Sequence, residues 1–203
     1  MIERLEQVAG RPVSRETFAK LEAYVALLKE ESGRQNLVSA STRDHIWDRH
    51  ILDSAQLVRF EPRRGASWLD IGSGAGLPGI VVACLVEGPA TLVEPRRLRA
   101  EFLHKVVESL DLNASVACAK AERLGGQYDV ITGRAVASLA RFLEISAHLS
   151  TRNTVWALPK GRNAERELAE ARRAWQGSFQ LERSVTGEDS WIVVGTGVRA
   201  KKR

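Results

Sequence analysis

The fold is decided by the stretch LDIGSGAGLPGI, residues 69–80. It begins with a short apolar run typical of a buried strand, and Gly72, Gly74 and Gly76 follow at alternate positions after the acidic Asp70. Glycine lets a backbone turn sharply and lets a ligand approach the main chain closely. The stretch therefore predicts a strand that runs into a glycine-rich turn beside a ligand.

Downstream of this turn, short apolar runs alternate with segments that have helical spacing. The apolar runs are SWLDI, ATLVE, ASVACA, YDVITG and TVWALPK. Such alternation predicts parallel strands joined by crossovers, with helices covering both faces of the sheet. Two further runs, FQLERSV and SWIVVGT, have no helix between them and predict an antiparallel hairpin that turns near Gly187.

The first third of the chain has helical periodicity. Residues 14–31 carry apolar residues at helical spacing behind Ser14, an expected N-cap, and residues 42–60 predict a second helix. We therefore expect an α/β fold, namely a Rossmann-like, mostly parallel, doubly wound sheet that ends in an antiparallel hairpin. An N-terminal helical extension at residues 1–62 should pack on a core domain at residues 63–203.

The composition is that of an ordinary globular chain. Its 203 residues, 44% hydrophobic and 27% charged, suit one sizeable core. Without an apolar run long enough for a membrane span or a signal segment, the chain is expected in the cytoplasm with no membrane partner. Cys84 and Cys118 are spaced too widely for a metal knuckle, so we expect two buried, reduced cysteines and no metal site. The net charge of +5 is compatible with a polyanionic partner.

The glycine turn differs from the common phosphate-binding patterns. The dinucleotide fingerprint G-x-G-x-x-G would need a third glycine where this chain has Leu77, and no G-K-[ST] follows to make a Walker loop. The pattern D-x-G-x-G-x-G, from Asp70 to Gly76, resembles instead the S-adenosylmethionine loop of Rossmann-like methyltransferases. In that loop the backbone packs against the methionine part of the cofactor.

Side chains that follow the other predicted strands complete this edge of the sheet, where open α/β sheets bind ligands. Glu94 ends the second strand, 22 residues after Gly72, where an acid can accept both hydroxyl protons of a ribose. Ala121 and Glu122 follow the third strand and can meet an adenine edge, and Arg134 follows the fourth. An arginine there can pair with a cofactor carboxylate or with an RNA phosphate.

Five short strings make the resemblance more specific. They are NLVS (36–39), RHILDS (49–54), DIGSGAGLPGI (70–80), GRAVASL (133–139) and LPKG (158–161). In order and spacing they resemble the bacterial 16S ribosomal RNA guanine-N7 methyltransferases, a family also called glucose-inhibited division protein B. Two positions depart from the family pattern. Pro159 precedes Lys160 and Gly161 where the family more often has A-L-K-G, and Gly133 precedes Arg134 where serine or alanine is usual.

The resemblance implies a class I methyltransferase that transfers a methyl group from S-adenosylmethionine to N7 of a guanine in 16S ribosomal RNA. Its partner would be that RNA or a precursor of the small ribosomal subunit, and we expect a monomer. The family's cofactor-contact positions fall on Gly72, Leu77, Ala121, Glu122 and Arg134. Gly74 and Glu94 join them by their places in the turn and at the second strand.

Guanine N7 has a free lone pair at neutral pH, so we expect no general base, and alignment and desolvation should suffice. Lys160 is a candidate for a phosphate or base contact, or a lysine that only caps a strand end. His50 and Asp53 form either a pair beside the site or a helix-packing pair. Asn36, and with it Ser39, should border the site if the family is right, and Asn36 and His50 are candidate substrate contacts.

Two other functions stay open from the sequence. A small-molecule methyltransferase on the same fold would have an apolar substrate pocket and no salt-sensitive RNA binding. A regulatory protein would bind the cofactor without catalysis.

Overall fold

The computed structural model describes residues 1–35, 37–38 and 45–201. Within these residues, seven strands form one sheet: β1 (Trp68–Ile71), β2 (Ala90–Val93), β3 (Ala114–Ala117), β4 (Tyr128–Thr132), β5 (Ser150–Lys160), β6 (Trp175–Arg183) and β7 (Trp191–Ala200). Their spatial order is β3-β2-β1-β4-β5-β7-β6. The first five strands are parallel, and β7 runs antiparallel to both β5 and β6. The predicted doubly wound sheet with its terminal hairpin is therefore confirmed.

The helices are α1 (Ile2–Ala9), α2 (Arg15–Glu31), α3 (Asp53–Ala55), α4 (Gly79–Leu85), α5 (Arg97–Ser109), α6 (Leu139–Ser146) and α7 (Ala164–Ala174). As predicted, Ser14 caps α2, because its Oγ accepts a hydrogen bond of 3.0 Å from the Thr17 N–H. In the described part of residues 42–60, a π-helical stretch (Trp47–Leu52), α3 and a 3₁₀ turn (Gln56–Phe60) follow one another. Between β3 and β4 there is a 3₁₀ turn (Ala121–Arg123) in place of the predicted helix.

Both faces of the sheet are covered, which explains the continuous apolar runs of the central strands. Trp68 belongs to a core cluster with residues of the N-terminal helices, including Leu5 and Leu28. Its neighbour Leu69 points to the other face and joins a second cluster with Phe142. The N-terminal helices thus share a core with the sheet, and the boundary near residue 62 stays a prediction.

The two cysteines differ in their surroundings. Cys84 is partly buried on α4, but Cys118 is exposed, so the expectation of two buried cysteines is wrong for Cys118. It follows β3, the edge strand of the sheet, where a residue has a neighbouring strand on one side only. Across the described ranges, no helix is long and apolar enough to cross a membrane.

Candidate active site

The glycine turn after β1 needs glycine at all three alternate positions. Gly72, Gly74 and Gly76 have φ angles of 70°, 56° and 96°, in the left-handed region that other residues rarely adopt. A Cβ added at Gly72 would also lie 2.7 Å from Cγ2 of Val136. Because of this strain and clash, a valine at position 72 would disturb the fold as well as any ligand contact.

One side chain from α2 and one from β1 hydrogen-bond to backbone groups at the turn and hold it in place. The Tyr24 hydroxyl, on α2, donates a buried hydrogen bond of 2.8 Å to the Ala75 carbonyl. Asp70 Oδ2 accepts one of 3.0 Å from the Gly79 N–H at the start of α4. Burial raises the pKa of Asp70 to about 7. The N-terminal extension therefore contributes directly to the shape of the turn.

A cleft of about 330 Å³, which we call the turn cleft, opens beside these glycines. Its lining residues are Leu37, Val38, His50, Gly72, Ser73, Gly74, Ala75, Leu77, Arg99, Arg134 and Ala135. Five of the predicted site residues therefore meet around one cleft: His50, Gly72, Gly74, Leu77 and Arg134. They come from the ends of β1 and β4 and from the helical segment that precedes the sheet.

Three other predicted cofactor residues lie outside this lining. Glu94 is buried at the end of β2, where its carboxylate accepts hydrogen bonds of 2.9 Å from the Gly74 and Arg96 N–H groups. Ala121 is buried beyond β3, and the neighbouring Glu122 is 47% exposed and faces Arg141 at 3.6 Å. Their contacts with a cofactor stay predictions.

The Asp53 carboxylate accepts hydrogen bonds from side chains in distant parts of the chain. Its Oδ2 accepts a hydrogen bond of 3.2 Å from the Arg134 guanidinium. Its Oδ1 accepts from Thr186 Oγ1 at 2.7 Å and from Gln56 Nε2 at 2.9 Å. Hydrogen bonds to the Asp53 carboxylate therefore connect both Arg134 and the turn between β6 and β7 to the helical segment that carries Asp53.

His50 does not pair with Asp53. Both ring nitrogens of His50 are buried, and neither has a hydrogen-bond partner among the described residues, so a hydrogen-bonded pair is not formed. Burial and the nearby Arg134 guanidinium lower the pKa of His50 to about 4. His50 is therefore neutral at physiological pH. The other predicted loop contacts, Asn36 and Ser39, lie outside the described residues.

Lys160 is largely buried, with only 11% of its side chain exposed. Its Nζ donates to Glu167 Oε2 at 2.9 Å and to the Ala137 carbonyl at 3.0 Å. It lines a second cleft of about 310 Å³, which we call the lysine cleft. The lining of the lysine cleft is Asp53, Arg134, Ala135, Ala137, Pro159, Lys160, Gly161, Glu167, Ser190 and Trp191. Arg134 and Ala135 line both clefts, so the two clefts adjoin at these residues.

Comparison with known proteins identifies the family to which this chain belongs. The sequence model of the rRNA small subunit methyltransferase G family (GidB) matches residues 17–190. The chain belongs to this family. It is 44% identical over 208 residues to the ribosomal RNA small subunit methyltransferase G of Zymomonas mobilis, covering 98% of this chain and 93% of the relative. It is 49% identical over 185 residues to that of Erythrobacter litoralis, covering 90% and 89%.

Solved structures agree on the fold. A SAM-dependent methyltransferase from Aquifex aeolicus superposes with a TM-score of 0.61 at 16% identity, covering 82% of this chain and 97% of that one. The family match and this superposition confirm the methyltransferase resemblance and the Rossmann-like class I fold drawn from the sequence.

The two departures from the usual methyltransferase G pattern have structural explanations. A Cβ added at Gly133 would lie 2.6 Å from Cε2 of Phe142 and 2.7 Å from the Ile71 carbonyl oxygen, so this chain has room only for glycine there. Pro159 pairs with Ile192 in the β5–β7 ladder, beyond Trp156, the last β5 residue paired with β4. Proline is tolerated where a strand has a partner on one side only.

Sequence reasoning missed Glu167 and Trp191, which line the lysine cleft, and Thr186, which binds Asp53. Glu167 has the pattern of an ordinary acid on an amphipathic helix, and Trp191 that of a strand residue. No local signal distinguishes them, because their positions depend on how α7 and the β6–β7 hairpin pack against β5.

Proposed function

We propose that this methyltransferase G family member transfers a methyl group from S-adenosylmethionine to N7 of a guanine in 16S ribosomal RNA. Family membership supports methyl transfer to small-subunit RNA, as the names of its relatives state for those proteins. The observation that carries the proposal is the pair of adjoining clefts that share Arg134 and Ala135. One cleft can hold the cofactor and the other the base. We further propose that the protein works as a monomer in the cytoplasm, where ribosomal subunits are assembled.

The turn cleft has groups that suit S-adenosylmethionine. When bound, the cofactor supplies an electrophilic methyl group on a sulfonium sulfur, which keeps the bonding electrons when the methyl group leaves. Gly72 and Gly74 present backbone without side chains, and Leu77 offers an apolar contact. Arg134 can pair with the carboxylate of the methionine part. Glu94 remains the proposed ribose acceptor, because each carboxylate oxygen has a lone pair beyond the one that already accepts an N–H.

This chain's residues have to align the two substrates rather than move a proton. Guanine N7 provides its own electron pair, so the methyl transfer needs no deprotonation, and proximity and exclusion of water supply the acceleration. The methylated base becomes cationic. A neutral His50 adds no positive charge to the turn cleft, which Arg99 and Arg134 already line, and this favours that product.

The test uses purified protein, cofactor labelled in the methyl group, and small-subunit RNA either free or assembled into particles. We expect label in the RNA and, after digestion, in 7-methylguanosine. Label in another nucleotide would refute the guanine-N7 assignment. Cofactor binding without transfer to either RNA form would favour a regulatory protein, and label recovered only in small molecules would favour the small-molecule enzyme.

A further inference from the structure

We infer that the lysine cleft binds the target guanine and that the Glu167 carboxylate recognises its Watson–Crick edge. The inference rests on the proposed function and adds a site for the base and a residue that selects it. It depends on where the cleft lies, on its charge balance and on one free carboxylate oxygen.

The position of the lysine cleft suits a methyl acceptor. It adjoins the turn cleft at Arg134 and Ala135, while Glu167, on α7, lines only the lysine cleft. A base in this cleft would therefore have the cofactor beside it, at Arg134 and Ala135, and Glu167 on the side away from the cofactor. The volume of about 310 Å³ lies at the lower end of the range of roughly 300–1,000 Å³ typical of small-ligand sites.

The charges in the lysine cleft favour a neutral base over a phosphate. Two cations and two carboxylates line it, and they are paired. Arg134 contacts Asp53 at 3.2 Å, and Lys160 contacts Glu167 at 2.9 Å. An anion in this cleft would meet two carboxylates and two cations that are already paired. Lys160, which the sequence offers as a phosphate or base contact, is for this reason assigned to holding Glu167 at the base.

One carboxylate oxygen of Glu167 already accepts hydrogen bonds, whereas the other is available to a ligand. Its Oε2 accepts from Lys160 Nζ and, at 2.8 Å, from the Leu139 N–H at the start of α6. Its Oε1 has no partner among the described residues, and the side chain is 22% exposed. Guanine presents two adjacent donors, N1–H and the 2-amino group, to such an acceptor. Adenine has an acceptor at N1 and would be rejected.

Stacking provides the second recognition element. Unpaired RNA bases are commonly read by hydrogen bonds to the Watson–Crick edge and by stacking on aromatic rings. Trp191 lines the lysine cleft, and the Arg183 guanidinium lies 4.9 Å from the centre of its ring. Both groups come from the β6–β7 hairpin, which gives this hairpin a role in binding the base.

The orientation that Glu167 imposes places N7 toward the cofactor. With the Watson–Crick edge at Glu167, the imidazole side of the purine, which carries N7, points away from α7 toward Arg134, Ala135 and the turn cleft. Methylation at N7 also makes N1–H more acidic, so the hydrogen bond to Glu167 strengthens as the reaction proceeds. Interactions that strengthen in the transition state raise kcat. Loss of Glu167 should therefore lower kcat more than it raises KM.

The experiment compares Glu167→Gln with Glu170→Gln on two RNAs. Glu170 is an exposed acid on the same helix and is the matched control. One RNA carries guanosine at the methylated position, and the other carries inosine, which keeps N7 and N1–H but lacks the 2-amino group. For the native protein and Glu170→Gln, inosine should lower kcat/KM about 10- to 100-fold, the range for a hydrogen bond to a charged group. Glu167→Gln should lose a similar factor on guanosine and little more on inosine.

Four outcomes separate the possibilities. Equal use of guanosine and inosine by the native protein overturns the inference, and this measurement needs no variant to fold. A full inosine penalty in a folded Glu167→Gln protein also overturns it, with folding checked by Tm and cofactor affinity. If the native protein labels no RNA, the proposed function itself fails. Normal transfer with an unaffected Glu167→Gln variant leaves the proposed function intact and rejects only the base site.

Discussion

The hydrogen bond from Tyr24 to the glycine turn can be tested by a Tyr24→Phe change, which removes one oxygen atom. In the native protein the Tyr24 side chain is fully buried, and its hydroxyl donates to the Ala75 carbonyl at 2.8 Å. Burial raises the pKa of Tyr24, so this hydroxyl stays a donor throughout the ordinary pH range. Phenylalanine keeps the ring packing and leaves the carbonyl without its partner.

Leaving a buried acceptor unsatisfied costs about 1–3 kcal/mol of unfolding free energy. For a chain of this size that corresponds to a fall in Tm of about 2–12 °C. Tyr128→Phe is the matched control, because the Tyr128 hydroxyl has no hydrogen bond within the described residues. Urea unfolding gives the free energy and calorimetry the cofactor affinity, and both should fall only for Tyr24→Phe. If both variants unfold at the native midpoint, Tyr24 does not hold the turn.

Three further changes address the site. Asp53→Asn removes the charge opposite Arg134 and should weaken cofactor binding by about tenfold in calorimetry, whereas unchanged affinity would show that Arg134 is positioned without it. Glu94→Gln should weaken cofactor binding by roughly 1.5–3 kcal/mol, and a deoxyribose analogue that binds the native protein as well as the cofactor does would exclude Glu94 as the ribose ligand. Since burial raises the pKa of Asp70 from 3.8 to about 7, the folded protein holds this proton more tightly than the unfolded chain. The stability from Asp70 is therefore present below about pH 4 and lost toward pH 7, by at most about 4 kcal/mol, and Asp70→Asn should lack this decline in denaturation measured across pH.

The sheet could be predicted from sequence because each central strand is buried on both faces and forms a continuous apolar run. The glycine pattern between β1 and α4 also predicted which edge of the sheet faces a ligand. Helix α1 was missed because its eight residues, IERLEQVA, are too few to establish a period. The alternation of strands and helices predicted a helix between β3 and β4 as well, although the segment there is so short that it forms only a 3₁₀ turn.

The site was predictable where neighbouring strands end and unpredictable where distant segments meet. Gly72 and Arg134 were found because β1 and β4 are adjacent and both end at the ligand edge. The bond between Asp53 and Thr186 joins residues 133 positions apart. No local pattern encodes such a contact. Sequence reasoning paired Asp53 with His50, its neighbour on the helix, whereas the fold brings it to Arg134.

These long-range contacts explain why the N-terminal extension cannot be treated as an accessory to the sheet. Tyr24 holds the glycine turn, His50 lines the turn cleft, and Asp53 fixes Arg134 where the two clefts adjoin. The same Asp53 carboxylate anchors the β6–β7 turn through Thr186. A displacement of the extension would therefore reach both clefts and the hairpin at once. We therefore propose that cofactor binding and base binding are coupled through the partly buried Asp53 carboxylate. We expect Asp53→Asn to weaken cofactor affinity and also to impair RNA methylation when cofactor is saturating.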